Sequence, residues 1–250
     1  MDALPFGLAT WAACAVIVGA AYVIFGITAF GAAMFTVPAL SYFFPLDYVL
    51  PMCVILDVSA AFALGSRFSR DADLGELKWM APFSLAGAIA GVTALVTLPQ
   101  QATLAAFGIF LFCYGLYSLL SRAPQVGIAR HPWAVISGFC GGAAGTLFGV
   151  GAPPYAIYLS RRLPDKAVLR ATLSNMVLLS TSIRALVFLI GGLMLWDRIL
   201  GALLLLPFAL GGIWAGHRIQ LKASRETLLK VIGVLLLLIG TSLILRVLRG

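Results

Sequence analysis

Charged residues are scarce in this chain. They make up 10% of its 250 residues, nine acidic and seventeen basic, whereas a water-facing surface carries roughly a quarter or more. Two histidines and a single carboxylate deep in an apolar segment, Asp57, leave no set of nucleophile, base or metal ligands with which to build an active site. The four cysteines, Cys14, Cys53, Cys113 and Cys140, sit in apolar segments without C-x-x-C spacing, so they read as small buried side chains, not as disulfides or metal ligands. No G-x-x-x-x-G-K-[ST] run occurs, which removes the usual nucleotide-phosphate cradle. No cofactor and no enzymatic activity are expected. Polar stretches stay below about a dozen residues, so no extramembrane domain is expected.

What is present is hydrophobicity. Hydrophobic residues are 62% of the chain, and the mean hydropathy is +1.04. Apolar runs of bilayer-crossing length cover 48–66, 77–98, 101–120, 171–193, 199–216 and 227–245, and two longer ones, 8–43 and 132–159, contain glycine-rich breaks. The apolar N-terminal stretch has no basic region ahead of it and reads as structure, not as a cleaved signal peptide. The five tryptophans fall near span ends, as an aromatic belt requires. The net charge of +8 belongs to short loops between spans and implies a lipid bilayer as partner, not nucleic acid. The apolar exterior also admits a homodimer.

The basic residues set the topology. With eight single crossings they divide evenly between the two sides, which is a poor positive-inside signature. If 132–159 enters and leaves on one side, the balance changes. Arg67, Arg70, Lys78, Arg122, Arg130, Arg161, Arg162, Lys166, Arg170, Arg218, Lys222, Arg225 and Lys230 then share a face, against Arg198, Arg246 and Arg249. That count of thirteen against three favours a hairpin turning at Gly145-Thr146-Leu147-Phe148-Gly149-Val150-Gly151-Ala152-Pro153-Pro154, where glycine and proline interrupt a helix. The segment 8–43 breaks likewise at Gly26-Ile27-Thr28-Ala29-Phe30-Gly31. It carries no basic flank, so both termini are expected outside.

The two breaks correspond. Phe30-Gly31 matches Phe148-Gly149 at an offset of 118, while Pro45 and Pro164 match at 119, as do Val49-Leu50 and Val168-Leu169. The expected fold is an all-α polytopic membrane protein of two inverted-topology repeats, each a broken hairpin helix plus three transmembrane helices. Residues 1–122 hold the hairpin 8–43 and spans 48–66, 77–98 and 101–120. Residues 123–250 hold the hairpin 132–159 and spans 167–193, 199–216 and 227–245. An odd number of crossings per unit forces the inversion, an architecture common among secondary transporters. Small-xxx-small patterns such as Gly138 with Gly142, Gly87 with Gly91 and Gly212 with Gly216 have a packing role open to them as well.

A helix that begins inside the bilayer aims unpaired N–H groups and a positive dipole end at what precedes it, which suits an anion. Candidate substrate-binding residues are Thr28, Phe30, Gly31, Thr36, Thr146, Phe148, Gly149, Gly151, Asn175 and Arg184. Arg184 and Asp57 are charges deep in spans, where such residues are costly and usually functional. Arg184 would serve as a substrate cation and Asp57 as a coupling site; a purely structural Asp57–Arg184 ion pair is the alternative. Thr172, Asn175 and Ser182 recur at near-helical spacing on the span with Arg184.

Phe30-Gly31 with Pro38, the run Gly138-Phe139-Cys140-Gly141-Gly142-Ala143-Ala144-Gly145-Thr146-Leu147-Phe148-Gly149-Val150-Gly151-Ala152-Pro153, and Leu169-Arg170-Ala171-Thr172 resemble the sulfite exporter TauE/SafE family of bacterial inner-membrane transporters. Ala32, Ala33 and Ala152 depart from the further glycines usual there, and alanine narrows the site. The resemblance implies a small anionic substrate, either sulfite, a sulfonate such as sulfoacetate, or a related carboxylate. It also implies residence in the bacterial inner membrane, with both termini then periplasmic, and coupling to protons or to the membrane potential. An anion channel and a non-transporting assembly subunit are the competing readings.

Overall fold

The structure, a computed structural model, describes residues 7–28, 31–63, 71–120, 131–219 and 225–249. These form α-helices only: α1 Leu8–Thr28, α2 Ala32–Leu40, α3 Leu46–Ala63, α4 Leu74–Thr97, α5 Gln100–Leu120, α6 His131–Phe148, α7 Ala152–Arg162, α8 Lys166–Ile190, α9 Trp196–Ile219 and α10 Arg225–Arg249. Five of them, α1, α4, α5, α8 and α9, are long and apolar enough to cross a bilayer. The chain is a polytopic membrane protein. The apolar runs fall on these helices with shifts of a few residues at the ends; the tail of 48–66 and the basic residues Arg67, Arg70, Arg122, Arg130 and Lys222 lie outside the described residues.

Local chemistry fixes where helices start. Asp73 caps α4 by accepting from the Gly75 and Glu76 amides, and Asp165 caps α8 by accepting from Ala167 and Val168. Both long apolar segments break. Gly31, before α2, and Gly149, after α6, adopt left-handed backbone with φ of 91° and 75°, a conformation that costs any residue with a Cβ about 1–2 kcal/mol. These are the two glycines that the 118-residue offset paired. Beyond each break the chain doubles back. Trp11 near the start of α1 meets Phe44 just after α2, ring centroids 5.4 Å apart. His131 at the start of α6 lies 3.3 Å from the Arg162 guanidinium at the end of α7. The returning limbs are short. The nine residues of α2 and the eleven of α7 reach about 13 and 16 Å at 1.5 Å per residue.

Helices in lipid gain little from hydrophobic burial against one another and rely on close packing of small residues. Here α1 packs along α9 and α6 along α4, while α3 packs on α9 and α8 on α4. The pairs α5–α10 and α3–α8 pack on each other. Exchanging α1–α5 for α6–α10 reproduces this pattern. Glycines carry the closest approaches. Gly87 and Gly91 face the α6 backbone at Phe139 and Ala143, and Gly212 and Gly216 face α1 at Gly19 and Val23. Gly108 and Gly115 of α5 meet Gly240 and Gly233 of α10. Each of the four second-half glycines 212, 216, 233 and 240 follows its first-half counterpart by 125 residues.

Polar contacts tie the helix ends. At one end Glu76 accepts from the Tyr158 hydroxyl at 2.6 Å and from Arg162 Nε at 2.7 Å, and the Asp73 amide donates to Thr172 Oγ1 at 2.9 Å. At the other, Arg198 pairs with Asp47 at 3.0 Å and Arg246 donates to the Ser41 carbonyl. Four tryptophans, Trp79, Trp133, Trp196 and Trp214, are exposed as a belt requires. Trp11 is not: it is buried against Phe44 and Gly201. Cys14 and Cys53 are buried, whereas Cys113 and Cys140 face outward.

Candidate functional site

The two breaks meet at Arg184. A Cβ built on Gly149 would stand 2.9 Å from Ala33 Cβ, 3.3 Å from Val37 Cγ2 and 3.4 Å from Arg184 Nη1. Only a glycine lets the end of α6 approach α2 and the guanidinium this closely. Ala33, Thr36 and Val37 are three and four apart, so they share one face of α2, and that face looks toward the second break.

Arg184 is 4% exposed. Its Nη1 donates to the Gly145 carbonyl at 3.0 Å, and its Nη2 pairs with Asp57 Oδ2 at 2.6 Å. The Tyr22 hydroxyl donates to the other Asp57 oxygen at 2.8 Å. Thus α1, α3, α6 and α8 each give one group to a single charged cluster. The Asp57–Arg184 ion pair, the alternative that the sequence left open beside a substrate and coupling role, is present in the structure. Within it Arg184 Nε, and on α2 Thr36 Oγ1, are buried without a partner among the described residues, as are Trp11 Nε1 and Arg198 Nε elsewhere. Buried donors and acceptors are nearly always satisfied, so an unpartnered Nε on a buried guanidinium leaves a hydrogen bond to be filled.

Behind α7 runs a chain of hydroxyls. Ser84 Oγ lies 2.8 Å from Tyr155 Oη, which lies 2.9 Å from Ser180 Oγ. Ser180 sits one helical turn before Arg184. Cβ atoms added to Gly145 and Gly151 would come within 3.6 and 3.5 Å of its hydroxyl. The Gly141 position leaves room for the Tyr155 ring against α6. At the basic end of α7, the bond from Glu76 raises the Arg162 pKa, so this ion pair persists.

The other sequence candidates divide. Gly31 is the N-cap of α2 and Gly151 that of α7. Thr146 gives its hydroxyl to the Gly142 carbonyl and packs its Cβ on Gly91 of α4. Phe148 stacks on Phe107 of α5 at 4.9 Å. Asn175 is buried on α8. Ser182 is exposed and bonds back to Leu178, off the buried stripe of Thr172, Met176, Ser180 and Arg184. Thr28 ends α1 with its side chain outside the described residues, as is the whole of Phe30. The two inner helix starts are unequal. Ala32 and Ala33 keep their amide protons, but Pro153 and Pro154 at the start of α7 have none to offer.

Sequence reasoning missed Tyr22, Tyr155, Ser84 and Ser180. Only Ser180 left a trace, its spacing of four from Arg184. A groove of about 640 Å³ exists elsewhere, between Tyr42 and α10 at Leu238, Thr241, Ser242 and Arg246, and touches no member of the Arg184 cluster.

The family model for the sulfite exporter TauE/SafE matches residues 13–243, nearly the whole chain. No curated protein and no solved structure matches. The matched span takes in both glycine breaks and the buried Arg184 cluster, and the chain belongs to the sulfite exporter TauE/SafE family of membrane transporters.

Proposed function

We propose that the protein is a secondary transporter, not an enzyme, that moves a small sulfur-containing or organic anion across the bacterial inner membrane, with sulfite or a sulfonate such as sulfoacetate as substrate. The observation that carries this is the orphaned Arg184 Nε, buried where the Gly149 break approaches α2, the helix that also holds the unpartnered Thr36 Oγ1. An oxyanion placed there satisfies Nε. It also meets the positive end of α2, whose first amides are unpaired. The proline start of α7 contributes shape more than N–H groups.

The two halves, 1–122 and 123–250, act as inverted repeats in this reading. The exchangeable packing of α1–α5 and α6–α10, the paired left-handed glycines and the lopsided basic residues all support it. Arg184 is buried, 4% exposed, and in this reading substrate reaches it when the packing of one half moves against the other. That favours a carrier over a channel.

Counterflow in proteoliposomes tests the transport mode. Liposomes preloaded with unlabelled sulfoacetate should transiently concentrate labelled sulfoacetate; monotonic equilibration, unaffected by preloading, would indicate a channel. Cysteine labelling tests the topology. In a background without Cys14, Cys53, Cys113 and Cys140, probes at Asp2→Cys and Arg249→Cys should react from the periplasm and one at Lys166→Cys only from the cytoplasm. Periplasmic labelling at 166 would refute the second hairpin.

A further inference from the structure

Arg184 uses its hydrogen-bonding capacity in an uneven way. Nη1 is committed to the Gly145 carbonyl, a backbone group that stays in place. The Nε–Nη2 edge is the one that grips two oxygens of a planar or tetrahedral oxyanion side by side. On that edge Nη2 holds one oxygen of Asp57, and Nε holds nothing. Asp57 does not fill both places: its second oxygen accepts from Tyr22, and Nε stays without a partner. The carboxylate therefore occupies half of a two-pronged site.

From this geometry, with the transport reading above as its premise, we infer that Asp57 is the proton carrier. A proton on Asp57 breaks its hold on Arg184 and frees the Nε–Nη2 edge for the anion, so that proton and anion bind and travel together. No bond other than O–H forms in the step: the proton comes from water on the loading side and returns to water on release. Charge decides the order. An anion arriving at an ionised Asp57 would bring two negative charges to one guanidinium in a poorly hydrated site, which is costly. A neutral Asp57 takes one negative charge away, so that only the anion's own charge faces the guanidinium. Asp57 is also the more accessible partner, with 16% of its side chain exposed against 5% for Arg184. The Tyr22 hydroxyl, donor to the carboxylate, can turn and accept from the acid, so both states of Asp57 stay satisfied.

The groups that face Asp57 leave it the switching role. Among the described residues its titratable or charged neighbours are Tyr22 on α1, Cys53 on its own helix and Arg184 on α8. Helix α2 has no titratable residue. Glu76 of α4 and Asp197 and Arg198 of α9 lie at helix starts, and on α6 His131 is at the first residue and Cys140 faces outward.

The test uses purified full-length protein and labelled sulfoacetate, which keeps its charge between about pH 6 and 8 because a carboxyl titrates near 4. Wild-type affinity should rise toward tenfold for each unit the pH falls, the limit for one coupled proton. Asp57→Asn should bind at pH 8 roughly tenfold tighter than wild type or better, with no pH dependence. In proteoliposomes it should exchange sulfoacetate but no longer accumulate it under a pH gradient with the potential clamped. Tyr22→Phe keeps the Asp57–Arg184 pair, so it should retain the wild-type pH dependence of binding; this variant guards against misfolding of the first. Wild-type pH dependence retained in Asp57→Asn, or folded Asp57→Asn that binds at no pH, would overturn the inference and leave transport standing. Wild-type protein that binds neither sulfoacetate nor sulfite at any pH would overturn the transport reading, and the inference with it.

Discussion

Arg184→Gln is expected to lower the stability of the protein by about 3–5 kcal/mol and to remove every response to anions. The loss follows from breaking a buried pair: Asp57 is left without its cation in a poorly hydrated place, and removing one partner costs more than the pair itself contributes. Tyr22 offsets part of this by holding one Asp57 oxygen. The double variant Asp57→Asn/Arg184→Gln should regain most of the stability, since no lone charge remains, and should still fail to bind. Melting of the four proteins in detergent, with and without sulfite, forms a double-mutant cycle that separates the two roles of Arg184. Recovery of stability without recovery of binding separates the substrate role from the structural one. If Arg184→Gln melted like wild type and still gained stability from sulfite, Arg184 would have neither.

Much of this was legible in the sequence, and the reason is geometric. Lipid forces backbone satisfaction within helices, so apolar length gave the spans, and glycine with proline marked where they fail. The pairing of Gly31 with Gly149 survived because a left-handed turn tolerates little else. Asp57 and Arg184 stood out because deep charges are rare. Partners across helices were not legible. Tyr22 in an apolar run looks like any lipid-facing aromatic until its hydroxyl is seen on Asp57. Glu76, Tyr158 and Arg162 lie 82 and 86 residues apart in the chain, and nothing local announces their meeting. Trp11 lies near a span end like the belt tryptophans yet is buried: position near a span end does not say which way a ring points. The proline start of α7 is written in the sequence, since a residue without an N–H cannot donate one.

Gly149→Ala should cripple transport where Gly31→Ala does less. Both place a Cβ on left-handed backbone. Among the described residues the new methyl at Gly31 meets the Met34 sulfur alone, at 3.6 Å, so backbone strain of about 1–2 kcal/mol is the main effect. At Gly149 the methyl also meets Ala33, Val37 and Arg184 at 2.9–3.4 Å, and overpacking adds about 1–3 kcal/mol. More important, the two breaks are pushed apart at the guanidinium, and positioning errors of about 1 Å can cost a site two orders of magnitude. Ala33→Gly removes the nearest obstacle. Combined with Gly149→Ala it should restore a good part of the exchange rate while leaving the backbone strain. Initial rates of sulfoacetate exchange for the three variants and the combination check this. Equal losses at Gly31 and Gly149, with no rescue by Ala33→Gly, would mean that the close approach of the breaks is unimportant.

Selenite offers the most direct measurement, because it is the heavier analogue of sulfite and selenium scatters anomalously. Crystals of the protein grown with selenite should show one anomalous peak inside the bundle, in hydrogen-bonding reach of Arg184 Nε and Thr36 Oγ1 and next to Gly149, and sulfite should displace it. A site elsewhere in the bundle, or an empty Arg184 cluster in protein that demonstrably binds selenite in solution, would contradict an anion held where the two broken helices meet.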